Sequence, residues 1–290
     1  MKRNLHLLII DAQNDFCDLP RDYVAPGCTP ALPVPGAHAD MRRVAGLIER
    51  GIDGLAAISV TIDSHHRIDI AHSAFWQDAG GAAVAPFTQI TLAELEQGKY
   101  APRDLAARAR ATNYLQALEA AGRYTLMVWP THCEIGSWGN NVHADVRAAY
   151  NRWEEKTLRT AAKIIKGTNP WTEHYSALQA EVPDDVDDST HMNTGLLATL
   201  VASDRVYITG EAGSHCVKAS TEHIVEQWDP SQLAKLVLVT DCMSPVTGFE
   251  AQYAAFVRSM QRRGVQLMQA SDVVAELLAN AHPSPTWHTQ

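Results

Sequence analysis

Cys216 follows a run of small and polar residues, Gly210-Glu-Ala-Gly-Ser-His215, and opens a stretch free of Gly and Pro as far as Trp228. Val206 to Thr209, just before, is β-branched and aromatic, so the pattern predicts strand, tight turn and helix in succession. A cysteine in the first turn of a helix meets the positive end of its dipole and several unpaired backbone amides. Both favour thiolate over thiol, and the same amides can hold a developing oxyanion. A lone cysteine is more simply a small buried residue. Nucleophilic chemistry requires an acid/base and a cation to converge on it. Asp11, closing the apolar run Leu5 to Ile10, is the candidate base, and Lys166, closing Ala161 to Ile165, is the candidate cation. Each has a plain alternative: a loop or capping carboxylate for Asp11, a solvated amine for Lys166. Together, a carboxylate, an amine and a thiol at three strand ends titrate as one unit and favour nucleophilic catalysis.

A second constellation is Asp63-Ser-His65-His66, with His72 beyond it and His132 in Trp129-Pro-Thr-His-Cys133. Asp-x-His puts both side chains on one side of an extended segment, where they can share a cation. With His132 the set becomes one carboxylate and two imidazoles, which suits zinc and could also hold iron(II) or manganese. The chain has 13 histidines, so some clustering arises by chance.

Placing these residues requires strands that end at them. Apolar runs predict strands at Leu5 to Ile10, Leu55 to Ile62, Tyr124 to Trp129, Ala161 to Ile165, Val206 to Thr209, Leu233 to Thr240 and Val265 to Met268. Helices are expected at 36–50, 104–121, 141–157, 191–203, 216–228, 249–263 and 272–281. Asn14 to Pro35 reads as a loop over the top of the fold. Residues 79–102, low in periodicity and containing Gly80-Gly81, read as an inserted loop, and Glu181 to Ser189 as a solvated acidic one. A Pro-rich tail after Ala281 is expected to fray. Alternation of strand and helix predicts an α/β fold of three layers, α/β/α, around a mostly parallel sheet of roughly six strands. In such folds the site lies beyond the carboxyl ends of the strands, where Asp11, Asp63, His65, Lys166 and Cys216 all fall.

The 290 residues are 46% hydrophobic and 20% charged, the composition of an ordinary globular protein with a sizeable core. A net charge of −9 argues against nucleic acid or an anionic membrane as partner. No span approaches the roughly 20 apolar residues of a membrane helix. The first residues superficially resemble a signal peptide, but the apolar run is short and ends at Asp11 without a small-residue cleavage site. Five scattered cysteines do not form a disulfide framework. A cytoplasmic location is expected.

Leu7-Leu-Ile-Ile-Asp-Ala-Gln-Asn-Asp-Phe-Cys17, the Asp-x-His of 63–65 and Trp129-Pro-Thr-His-Cys133 with Trp138-Gly139 and His143 form the first part of an ordered series. Ile165-Lys-Gly167, His174-Tyr-Ser-Ala177 and Gly210-Glu-Ala-Gly-Ser-His-Cys-Val217 complete it. The series resembles the nicotinamidase branch of the isochorismatase-like cysteine hydrolases. The resemblance implies Asp11 as general base, Lys166 as charge stabiliser and Cys216 as the nucleophile that forms a thioester from a carboxamide and releases ammonia. It implies a cis peptide at Glu211–Ala212, an oxyanion hole from the amides of Ala212 and Cys216, and one divalent metal on Asp63, His65 and His132, with His72 a possible further ligand. Phe16, Trp129 and Tyr175 map onto the substrate pocket, and a homo-oligomer is expected. The chain departs from the pattern at His66, where Pro is more usual, and at His72, one residue further along than the matching histidine. It also departs at Glu211, where an apolar residue is usual, and in a longer segment at about 79–123, expected over the pocket mouth of a single domain spanning 1–290.

Nicotinamide or a related cyclic amide is the expected substrate. Other readings are hydrolysis of another amide, carbamoyl or ureido compound, or of isochorismate, whose vinyl ether needs no thiol. A non-catalytic ligand-binding relative is a further reading, though it has no reason to keep all three groups of the triad.

Overall fold

The first apolar run folds as β1 (Leu5–Ile10), buried at every residue, as a strand covered on both faces must be. In the computed structural model residues 2–282 are described; the Pro-rich tail, from residue 283 onward, lies outside them. After β1 come α1 (Ala37–Gly51), β2 (Ala57–Asp63), β3 (Trp76–Asp78), β4 (Thr88–Ile90), α2 (Leu92–Glu96), β5 (Tyr100–Pro102), α3 (Arg108–Ala121) and β6 (Leu126–Val128). The chain continues through α4 (Ala144–Thr157), β7 (Ala162–Lys166), α5 (Thr194–Val201), β8 (Arg205–Gly210) and α6 (Cys216–Gln227). It closes with β9 (Leu236–Val239), α7 (Glu250–Arg262), β10 (Gln266–Met268) and α8 (Ala270–Ala281).

The central sheet has six strands in the order β10-β9-β8-β1-β2-β7, and every neighbouring pair is parallel. Chain order therefore runs outward in both directions from the β1–β8 seam. This is the doubly wound arrangement, whose crevice opens where the order reverses. The parallel α/β/α architecture is as expected from the sequence.

Two expectations need correction. The strand at Tyr124 to Trp129 exists as β6 but leaves the central sheet, pairing antiparallel with β4. An apolar run announces burial and not the sheet it joins. The segment 79–102 is not one loop. It contains β4, α2 and β5, with β5 antiparallel to β3, and Thr91 and Glu94 close a reciprocal capping box on α2. With α3 these pieces build a satellite core, in which Trp76, Ile90, Leu95, Tyr114, Leu115, Leu118 and Val128 are buried. The main core lies between the sheet and its flanking helices.

Candidate active site

β1 and β8 end side by side, with Ile10 opposite Gly210. Gly210 has φ +115°, and a Cβ there would overlap the Ile10 carbonyl, so only glycine allows this approach. The chain then turns through a cis peptide at Glu211–Ala212 and a short loop into α6, with His215 at the N-cap and Cys216 as the first helical residue. Among the described residues neither the Ala212 nor the Cys216 amide has a hydrogen-bond acceptor.

Asp11, Lys166 and Cys216 converge. Lys166 Nζ lies 2.9 Å from Asp11 Oδ2, donates to Asp63 Oδ1 at 2.8 Å and to the His174 carbonyl at 2.9 Å, and sits 3.7 Å from Cys216 Sγ. Thr61 Oγ1 donates to Asp11 Oδ1 at 2.6 Å and accepts from the Asp11 amide. Asp11 Oδ2 is thus paired with the Lys166 ammonium. Burial pushes Asp11 above the usual carboxylate range, with Lys166 opposing. Lys166 is pushed down by burial but held well up by Asp11 and Asp63. Cys216 differs from expectation. Burial pushes its thiol well above its ordinary value, and Asp11 and Asp63 add to this against Lys166. Burial is the largest of these causes, and it disfavours the thiolate that a helix terminus alone would favour.

Asp63 joins the two constellations. Its Oδ1 faces Lys166, while its Oδ2 lies 2.9 Å from His65 Nε2 and 3.4 Å from His132 Nε2. Its backbone is clamped by Gln13, which accepts from the Asp63 amide at 2.8 Å and donates to its carbonyl at 2.7 Å. His65 is buried between two carboxylates, with Nδ1 3.1 Å from Asp69 Oδ2. Burial pushes its pKa down, but Asp63 and Asp69 outweigh that and hold it well up. His132 Nδ1 donates to the Pro130 carbonyl at 2.8 Å and lies 3.3 Å from His72 Nε2.

His72, only a possible ligand from sequence, joins His65 and His132 in a buried group whose ring nitrogens lie within 4.8 Å of one another. Its Nδ1 has no partner, and burial lowers its pKa to about 2, keeping it neutral. Three clustered buried imidazoles, one with an orphaned nitrogen, beside a carboxylate form a donor set that fits a divalent cation. Asp69 supplies the outer carboxylate that orients such a histidine.

Phe16, Trp129 and Tyr175 all line one narrow cavity with Asp63, His132, Ala212 and Cys216. Trp129 Nε1 donates to Tyr175 Oη at 2.9 Å, and the two rings meet edge to face. Sequence reasoning missed Leu32, Glu173, His215 and Val246, which complete the lining. Glu173 and His215 each adjoin a motif residue, a signal that was there to read; Leu32 and Val246 lie in loops and gave none. A roomier groove of about 900 Å³, lined by His66, Phe75, Arg103 and Trp171 among others, contains none of these groups.

No protein-family model and no curated protein matches the sequence. Solved structures do match. A nicotinamidase/pyrazinamidase of Acinetobacter baumanii superposes with a TM-score of 0.60 at 22% identity, covering 93% of this chain and 98% of that one. The pyrazinamidase of Pyrococcus horikoshii in complex with zinc gives 0.53 at 20% identity, covering 92% and 99%. An isochorismatase-like hydrolase from Alkaliphilus metalliredigens gives 0.50 at 13%, covering 94% and 98%. The chain has the isochorismatase-like fold, in the form shared by nicotinamidases and pyrazinamidases.

Proposed function

We propose that the protein is a cysteine amidohydrolase that converts a small carboxamide, nicotinamide or a related cyclic amide, into the acid and ammonia. One observation carries the reading: a carboxylate, an amine and a thiol with no common role in packing converge at the β1–β8 seam. Asp11 takes the proton of Cys216, and Lys166, 3.7 Å from the sulfur, compensates the thiolate charge. The sulfur adds to the amide carbonyl while the amides of Ala212 and Cys216 hold the oxyanion. Asp11 returns its proton to the leaving nitrogen, ammonia departs, and a water deprotonated by Asp11 hydrolyses the thioester. The aromatic walls of Phe16, Trp129 and Tyr175 suit a flat ring. His65, His72 and His132, with Asp63 beside them, would hold one divalent metal; zinc fits the nitrogen-rich set best, with iron or manganese as alternatives. When bound, such an ion supplies a Lewis-acidic point that orients a ring nitrogen or a water. The zinc of the Pyrococcus horikoshii pyrazinamidase is in keeping with this choice.

The test is ammonia release from a panel of small amides by the wild type and by Cys216→Ala. The variant is expected to lose at least 10³-fold in kcat, and intact mass should show an acyl adduct on the wild type alone. Wild-type rates in Cys216→Ala would end the proposal.

A further inference from the structure

Glu173 is the part of the cavity that the proposed chemistry leaves without a task. It lines the same cavity as Cys216 and is 4% exposed. Its main chain is held on both sides: the amide donates to Tyr114 Oη at 3.2 Å, and the carbonyl accepts from the Glu181 amide at 2.9 Å. Oε1 accepts from the His174 amide at 2.9 Å. Oε2 is buried and has no partner among the described residues.

The other carboxylate, imidazole and hydroxyl side chains on the lining each have a partner. Asp63 uses one oxygen on Lys166 and the other on His65. His132 is tied to Pro130, His215 Nδ1 lies 2.9 Å from Ser214 Oγ, and Tyr175 Oη accepts from Trp129. A carboxyl that lines an aromatic-walled cavity and keeps one oxygen unpartnered costs stability unless something that binds there completes it. In either protonation state a carboxyl keeps a lone pair for a donor.

We infer that Glu173 is a specificity-determining residue, its free Oε2 accepting a hydrogen bond from an N–H or O–H carried on the substrate ring away from the carboxamide. This rests on the amidase reading for where the carboxamide sits. It narrows the substrate to ring carboxamides bearing an amino, ring N–H or hydroxyl donor. Sites built to pair a substrate donor reject analogues lacking it far more strongly than apolar pockets discriminate by size.

The test uses benzamide and its amino- and hydroxy-substituted derivatives, which have no ring nitrogen for a cation at the histidine cluster to recognise. Dissociation constants are measured on full-length Cys216→Ala, so that no turnover intervenes. At least one donor-bearing derivative is expected to bind about tenfold more tightly than benzamide. Adding Glu173→Ala should erase that advantage while leaving benzamide within about twofold. Glu173→Gln, which keeps the shape and an acceptor oxygen, should retain part of it, and guards against a folding failure in the alanine variant. A merely structural Glu173 would weaken all ligands alike. That result overturns the inference, as does a donor advantage that survives Glu173→Ala or no donor advantage at all. Failure of the amidase reading shows separately, as wild-type protein that binds these compounds with the expected preference but releases no ammonia from any amide.

Discussion

Lys166 is the residue on which the site's charges balance. Its side chain is 1% exposed and stands between Asp11 and Asp63, at 2.9 and 2.8 Å. Lys166→Met keeps the length and removes the charge, so two buried carboxylates would face each other unpaired. Breaking a buried ion pair from one side costs about 3–5 kcal/mol. We expect Lys166→Met to lose that much in urea denaturation and to lose activity, whereas Cys216→Ala loses activity with little change in stability. A Lys166→Met protein as stable as wild type would show that the amine is not the counter-ion. The positions of Asp11, Lys166 and Cys216 were legible in the sequence because each closes or follows an apolar run. Their dependence on Asp63 was not, since that contact joins residues 103 apart in sequence. Nor was the upward push that burial gives the Cys216 thiol, because the depth at which a strand end is buried leaves no mark on local sequence.

At the scale of elements, the segment from β4 to α3 supports the site as well as lying beside it. α3 carries Tyr114, whose hydroxyl accepts from the Glu173 amide, and the loop from Glu173 to Tyr175 offers Lys166 its carbonyl acceptor at His174. Tyr114→Phe keeps the buried ring and leaves the Glu173 amide without an acceptor, at a cost of about 1–3 kcal/mol. We expect that loss in chemical denaturation, together with a fall in kcat/KM for the amide best hydrolysed and an unchanged circular dichroism spectrum. Equal stability of the variant and wild type would sever the link from α3 to the site. The sequence marked the end of α3 at Gly122, which takes the left-handed conformation at the C-cap. It also held the Thr91–Glu94 box of α2, overlooked because the helix is five residues long. β3, β4 and β5 are three residues each, too short for an alternating pattern to register. β6 and β10 are equally short but lie within apolar runs, so they could be read; β3, β4 and β5 could not.

Over the whole molecule, the two halves of the sheet meet at the β1–β8 seam, where the Glu211 amide donates to the Ile10 carbonyl at 2.8 Å. Alternating strands and helices made the parallel sheet legible, but its order comes from long-range pairing that no local pattern encodes. Glu211 stands where the resembling family usually carries an apolar residue, and the fold buries it where its charge is disfavoured. Its side chain is fully buried: Oε2 accepts from the Ser244 amide at 3.2 Å, and Oε1 has no partner. Burial raises its pKa well above the ordinary value, and the charge of Asp40 raises it further. Asp40 itself is engaged by Arg43 at 2.7 Å and by Ser244 Oγ at 2.6 Å. A carboxyl whose folded pKa lies above its unfolded one binds its proton more tightly when native. Its contribution is complete below the unfolded value near 4.5 and is lost as pH rises through the folded value. Glu211→Gln keeps the acceptor for Ser244 and has nothing to ionise. Its stability relative to wild type should therefore climb with pH, by about 1.4 kcal/mol per unit between the two pKa values. Urea denaturation at pH 5, 7 and 9 measures the gap. A gap that stays constant across the three, or narrows as pH rises, would mean that Glu211 is ionised in the native protein and that this seam tolerates a charge.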